Sequence, residues 1–141
     1  MSQAMWSNGY VGLPHLDHGR TRDGLDCWGL ACLIYREQLA IELPAYQGYA
    51  STDELVEVQA VIAGATSSPL WVAVDVPQPF DIAVFRRGRL ETHLGVMVRA
   101  GLMIHVAAGT ASVHERYDQA PWRARLAGHY RHSALVSRAE A

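Results

Sequence analysis

The sequence predicts an α+β fold, in which N-terminal helices pack on a C-terminal antiparallel β-sheet. Apolar residues recur at helical spacing between positions 27 and 64, short β-type runs begin after Pro69, and helical and strand segments do not alternate. Half of the 141 residues are apolar, which is enough for one hydrophobic core. We therefore expect residues 1–141 to form a single domain.

The first helix is predicted from Cys27 to about Ile41. Leu30 and Ile34 continue the helical spacing, Asp26 is a suitable N-cap, and a Leu-Pro pair follows the last apolar position. The stretch before it, Trp6 to Asp26, is rich in Gly, Pro, His and Asp and is predicted to be an ordered loop.

A second helix is predicted to start at Ser51, where Glu54 completes a capping box and Gly64 is a suitable stop. The second half of the chain then alternates apolar and polar residues, which is typical of strands. The predicted strands are Leu70–Val74, Asp81–Arg86, His93–Val98, Leu102–Val106, Ser112–Arg116 and His129–Leu135.

Charge and hydropathy exclude several classes of partner. All 12 basic residues are arginine and 14 residues are acidic, so the net charge of −2 provides no general attraction to nucleic acid. No apolar run approaches the roughly 18 residues that cross a bilayer, and residues 1–10 do not resemble a signal peptide. We therefore expect that the chain is made in a cytoplasm and does not insert into a membrane.

The hairpin from His93 to Val106 has a register that its apolar pattern fixes. A three-residue loop at 99–101, with Gly101 left-handed, pairs Val98 with Leu102 and keeps the aliphatic side chains on one face. The same register places His93 and His105 on the other face as diagonal neighbours, about 7–8 Å apart at Cα. It also sets Gly95 opposite His105, which leaves space for another side chain.

Cys27 is the candidate nucleophile. A thiol in the first turn of a helix is expected to have a lowered pKa, because the free backbone N–H groups favour the thiolate. Cys27 would attack, His93 would transfer protons, and His105 would orient His93. Cys32 lies about 140° further around the helix and is predicted to pack in the core.

Four sequence blocks resemble the NlpC/P60 family of papain-like cysteine peptidases, and most closely its phage-tail branch. The blocks contain a D-C-W-G-L nucleophile motif, a strand similar to P-G-D-L-V-F-F, an H-x-G-hydrophobic strand and an I-H-A-like segment. In this chain they are Tyr10–Pro14 with Gly19–Leu30, Pro79–Phe85, His93–Val96 and Ile104–Val106.

The resemblance implies a papain-like fold and the same triad, Cys27, His93 and His105, acting on stem peptides of peptidoglycan. The bond often cleaved in that family joins D-γ-glutamyl to diaminopimelate. It implies a setting in a phage tail or phage-derived particle, with other tail proteins as partners. The alternatives are a structural tail-tip plug or adaptor that retains the fold, and an acyltransferase that uses the same triad.

Two positions depart from the family pattern. His15 follows Pro14 where the family often has tyrosine, and Phe80 replaces a glycine. The backbone N–H of Cys27 is the expected oxyanion donor. Tyr10, His15 and Asp26 are the remaining candidates for contacts with the oxyanion or substrate.

Two further segments have less specific signals. His15, Asp17 and His18 are closely spaced and could suggest a metal site. Too few ligands are present, so no metal and no cofactor are expected.

Arg86-Arg87-Gly88-Arg89 is interpreted as a solvated hairpin tip, with contact to an anionic polymer as the alternative. Residues 122–131 combine Trp122, Arg125 and Arg131 and are interpreted as closing the sheet, with docking to a tail partner as the alternative.

Overall fold

A computed structural model describes residues 5–44, 63, 67 and 69–140 of the chain. The helix predicted from Ser51 lies outside the described residues. The described helices are α1 (Met5–Asn8), α2 (Cys27–Ile34) and α3 (Ser133–Glu140). The strands are β1 (Arg20–Thr21), β2 (Gly24–Leu25), β3 (Trp71–Val74), β4 (Ile82–Arg87), β5 (Leu90–Arg99), β6 (Leu102–His105), β7 (Val113–Arg116) and β8 (Leu126–His132).

Helix α2 starts where the sequence predicts, because Asp26 caps it. The Asp26 carboxylate accepts the backbone N–H of Gly29 at 2.8 Å, and all eight residues of α2 are buried. The helical segment continues beyond α2 as predicted, but as a π-helical turn at Tyr35–Leu39. It ends at Ala40, just before the predicted end at about Ile41, because the φ of 55° at Ala40 is left-handed and stops helical hydrogen bonding.

The six main strands form one antiparallel sheet in the order β3-β8-β4-β5-β6-β7. This arrangement confirms the predicted α+β fold, with α2 packed on the sheet. The last predicted strand needs correction, because β8 ends at His132 and α3 begins at Ser133. His132 Nδ1 accepts the backbone N–H of Ala134 at 3.1 Å, which satisfies a free donor at the start of α3.

The N-terminal stretch is more regular than the predicted loop. It contains α1 and the small β1–β2 ribbon. Ser112 ties this stretch to the far end of the chain: its hydroxyl accepts the N–H of Leu13 at 2.9 Å, and its carbonyl accepts the N–H of Gly12 at 2.8 Å. The segment that precedes Cys27 is thereby fixed against the sheet.

The central strands have two different faces. The face that we call the aliphatic face packs in one buried cluster with α2, and its members are Ile82, Val84, Leu94, Val96, Ile104 and Val106. The face that we call the histidine face comprises Ala83, Phe85, His93, Met97, Met103 and His105. Buried members of this second face pack with Tyr117 and Trp122.

The body of the β5–β6 hairpin has the predicted register. Val96 pairs with Ile104 and Met97 with Met103, which places the two histidines on one face as predicted. Gly101 has a φ of +77°, as its turn position requires. The predicted Val98–Leu102 pair is wrong, because Arg99 pairs with Leu102 and the register shifts between 97 and 99. The space at Gly95 is filled by Met103, whose sulfur lies 2.5 Å from where a Cβ would stand.

Candidate active site

The candidate site is a cavity of about 340 Å³ at the junction of α2 and the histidine face. Cys27 contributes from the start of α2, His93 from β5, and the segment after β6 completes one wall. The lining residues are His15, Cys27, Arg87, Thr92, His93, Val106, Ala107, Ala108, Trp122 and Arg125. Chain folding therefore brings a thiol and an imidazole from distant segments to the same cavity.

Cys27 lies at the first position of α2, with 8% of its surface exposed. Burial, with a smaller contribution from the Asp26 carboxylate, raises the pKa of the Cys27 thiol to about 12, and the backbone N–H groups of Leu94 and Trp28 act in the opposite direction. The expected lowering of this pKa by the helix start is therefore wrong for the resting protein. The N-cap that starts the helix also places a negative charge beside the thiol.

His93 and His105 are joined in a chain of hydrogen bonds. His93 Nε2 lies 2.8 Å from His105 Nδ1, and His105 Nε2 lies 2.7 Å from Glu115 Oε1. A carboxylate only accepts, so Nε2 of His105 bears the proton, its Nδ1 accepts, and Nε2 of His93 donates. This pattern leaves Nδ1 of neutral His93 with a free lone pair, which is the atom that a general base needs.

The surroundings favour neutral imidazoles. Burial lowers the pKa of His93 to about 3, with smaller lowering effects from His105 and Arg125. Burial also lowers the pKa of His105, against the opposing effect of Glu115. Trp122 covers both rings: it stacks on His93 with centroids 5.3 Å apart and meets His105 edge-on at 5.1 Å. His93 is therefore held in position and is neutral near neutral pH.

The thiol and the imidazole are neighbours across the cavity without a direct bond. Among the described residues, no hydrogen bond joins Cys27 to His93. The thiol instead lies near the backbone N–H of Leu94, the residue after His93. The described residues also include no acceptor for the backbone N–H of Cys27. This donor remains for a developing oxyanion.

The three residues weighed for oxyanion or substrate contacts occupy different places. His15 lines the cavity with Cys27. Tyr10 does not line it, and its hydroxyl donates to Glu37 at 2.8 Å and accepts from Gln38 at 3.0 Å. Asp26 is fully buried beneath the helix start, where Arg20 pairs with it at 2.9 Å. The geometry brings only His15 to the cavity.

Glu115, Trp122 and Arg125 were not identified as site residues from the sequence. A signal for Glu115 existed in the pairing of β6 with β7, where Met103 faces Glu115, so that Glu115 shares a face with His105. Trp122 and Arg125 come from the segment between β7 and β8, which has no periodicity to predict its position.

Cys32 is buried in the core, as predicted, and forms no disulfide bond.

Two other observations concern the described residues alone. They contain no group of three or more His, Cys, Asp or Glu side chains arranged to hold a metal ion. None of their helices combines the length and apolar character needed to cross a bilayer.

Comparison with known protein sequences finds a distant relative. The chain is 23% identical over 107 residues to the murein DD-endopeptidase MepS/murein LD-carboxypeptidase of Escherichia coli K12. The match covers 76% of this chain and 49% of the relative, so the chain spans about half the length of that protein.

Solved structures share the fold. An NlpC/P60 family protein from Bacillus cereus ATCC 10987 gives a TM-score of 0.67 at 22% identity, over 94% of this chain and 40% of the other. The NlpC/p60 domain of the peptidoglycan hydrolase SagA gives 0.56 at 15% identity, over 82% and 86% of the two chains. The model of the NlpC/P60 family itself matches residues 12–131. Because this match covers most of the sequence and every element of the cavity, the chain belongs to the NlpC/P60 family.

Proposed function

We propose that the protein is a cysteine peptidase that hydrolyses peptide bonds in bacterial peptidoglycan. The proposal rests on one observation: Cys27, at a helix start, lines the same cavity as His93, which is hydrogen-bonded in series to His105 and Glu115. A nucleophile, a base and groups that orient the base are the parts that acyl transfer requires.

In the proposed mechanism the Cys27 thiol transfers its proton to Nδ1 of His93 as the sulfur attacks the scissile carbonyl. The raised pKa of Cys27 means that the thiol is protonated until substrate enters, so proton transfer and attack are coupled. The backbone N–H of Cys27 stabilises the oxyanion, with His15 as a second donor. The C–N bond then breaks and His93 protonates the departing amine, which leaves a thioester on Cys27.

Water completes the cycle. His93 takes a proton from water as its oxygen attacks the thioester, and the acid product leaves as Cys27 regains its proton. His105 and Glu115 act as positioning residues, because they keep the lone pair of His93 Nδ1 directed away from the hydrogen-bonded chain. Their hydrogen bonds also stabilise the imidazolium that forms during each half of the reaction.

The proposed substrate is a peptidoglycan stem peptide, with the D-γ-glutamyl-diaminopimelate bond as the specific candidate. Support comes from family membership and from relatives described as a murein endopeptidase and a peptidoglycan hydrolase. The proposed setting is a phage tail or phage-derived particle, where tail proteins would be partners. That setting rests on the resemblance of the sequence blocks alone and is tested by locating the protein in purified particles.

Digestion of purified peptidoglycan, followed by mass spectrometry of the fragments, tests the hydrolase proposal. The wild-type protein should release stem-peptide fragments, Cys27→Ala should release none, and Cys32→Ala is the matched control from the same helix. Equal fragment patterns from wild type and Cys27→Ala would contradict the catalytic assignment.

The second candidate is a structural tail-tip component without activity. The raised pKa and small exposure of Cys27 favour it, as does the absence of a Cys27–His93 hydrogen bond in the described residues. This alternative predicts that the wild-type protein, like Cys27→Ala, releases no fragments from any peptidoglycan. A product joined to an added amine would instead indicate an acyltransferase.

A further inference from the structure

A basic hollow of about 550 Å³ shares lining residues with the cavity that contains Cys27. Arg87 and Arg125 line both spaces, and Arg86 lines the hollow. The described residues that line the two spaces include three arginines and no carboxylate. Since the chain as a whole has a net charge of −2, this end of the cavity is a local concentration of positive charge.

Arg125 is held in place at two points. Its Nε donates to the carbonyl of Arg86 at 3.0 Å, and its guanidinium lies over the Trp122 ring at 4.8 Å. These contacts leave the terminal Nη groups free to donate, in the planar geometry that matches a carboxylate. The same Trp122 ring stacks on His93, so the guanidinium and the imidazole both contact one aromatic side chain.

Five arginines of the described residues have carboxylate partners, and among those without one, Arg87 and Arg125 are the two that line the Cys27 cavity. Arg20, Arg22, Arg36, Arg116 and Arg131 each form an ion pair with a carboxylate. Among the described residues Arg87 and Arg125 form no such pair. Glu91 faces Arg86 across the β4–β5 ladder but does not line the cavity. Residues 86–89 are all exposed, as predicted for a solvated hairpin tip, and Arg87 at this tip also lines the cavity.

We propose that Arg125 and Arg87 form a subsite for a free carboxylate on the peptide that occupies the Cys27 cavity. This inference rests on the proposed function and narrows it to substrates with a carboxylate near the scissile bond. A γ-linked glutamyl residue has such a group, because its α-carboxylate takes no part in the bond. The subsite discriminates this acid from its carboxamide, which has the same shape without the charge.

A first experiment does not require hydrolysis. Cys27 is alkylated with iodoacetate and with iodoacetamide at one pH, in a Cys32→Ala background, and the ratio of the two rates is compared between variants. Both reagents react with the same thiolate population, so the ratio reports only the effect of the reagent's carboxylate. Arg125→Gln should lower the ratio about fivefold, and Arg87→Gln should lower it by a smaller factor.

Arg123→Gln is the matched control, because it removes the same charge from the same turn at an exposed residue outside the cavity. Its ratio should equal that of the wild type. An unchanged ratio in both Arg125→Gln and Arg87→Gln, or an equal fall in Arg123→Gln, would overturn the subsite. If Arg125→Gln does not fold, Arg87→Gln alone decides.

A second experiment measures kcat/KM for two synthetic stem peptides that differ only by carboxylate or carboxamide at the glutamyl α-position. Wild type should prefer the acid about tenfold, mainly through KM, and Arg125→Gln should abolish the preference. Cleavage of both peptides at equal rates would contradict the subsite and leave the hydrolase proposal intact. Cleavage of neither would contradict the hydrolase, while the alkylation ratio would still decide the subsite.

Discussion

The two faces of the central sheet are made by the same strands and have different roles. On the aliphatic face, Val84, Val96 and Ile104 are each 0% exposed and belong to the apolar cluster that includes α2. On the histidine face, His93 and His105 alternate with these residues and form a polar chain that ends at Glu115. The comparison indicates that one face is wholly apolar, whereas the other combines a smaller apolar cluster with the residues proposed for catalysis.

The largest expected effect comes from charging the aliphatic face. Val96→Asp places a carboxylate in a fully buried apolar site without a partner, and we expect it to lower the free energy of unfolding by about 4 kcal/mol or more. Val72→Asp, at a valine that is 43% exposed on β3, should change it by less than about 0.5 kcal/mol. Urea unfolding followed by circular dichroism measures the free energy of unfolding of both variants. Equal losses of this free energy would contradict the greater role of the buried aliphatic face.

On the histidine face, a substitution should change activity more than it changes stability. Glu115→Gln keeps an acceptor oxygen but removes the charge that stabilises the His105–His93 pair, so kcat should fall about tenfold to a hundredfold with little change in KM. The melting temperature should change little, because the side chain is 40% exposed. Glu42→Gln, at an exposed glutamate, is the control, and a fall in stability without loss of kcat would make Glu115 structural.

Acid should destabilise the protein through the histidine face. Burial lowers the folded-state pKa of His93 to about 3, below the ordinary value of 6.5, so in this interval the unfolded chain binds more protons. The free energy of unfolding therefore falls as pH decreases from about 6.5 toward 3. His93→Gln should reduce this dependence by about one proton in urea titrations, and an unchanged slope would contradict the assignment.

The smallest expected effect concerns the thiol at the edge between the faces. Asp26 raises the pKa of Cys27, so Asp26→Asn should lower the pH midpoint of Cys27 alkylation by a fraction of a pH unit while retaining a cap acceptor. Iodoacetamide rates in a Cys32→Ala background measure this midpoint. Asp23→Asn, at an exposed aspartate, should leave it unchanged, and a rise in Asp26→Asn would show the sign to be wrong.

Local patterns predicted the parts of the fold that depend on near neighbours. The Asp26 cap fixed the start of α2 because its hydrogen bond spans three residues. The π-helical turn after α2 and the left-handed stop at Ala40 were not predicted, because Ala40 has no sequence signal comparable to glycine. The end of β8 was missed for a similar reason, since Ser133–Leu135 continues an apolar pattern that suits either a strand or a helix.

The sequence by itself determined that Cys27 begins a helix and that His93 and His105 share a sheet face, because capping and strand alternation act over a few residues. Only the tertiary structure decided that the hydrogen bonds from His93 through His105 end at Glu115. It also decided that Trp122 packs on both imidazole rings and that Arg125 lies over Trp122. It also decided that the pKa of Cys27 is raised rather than lowered. These properties depend on burial and on charges from segments far apart in the chain, and a local pattern contains no information about either.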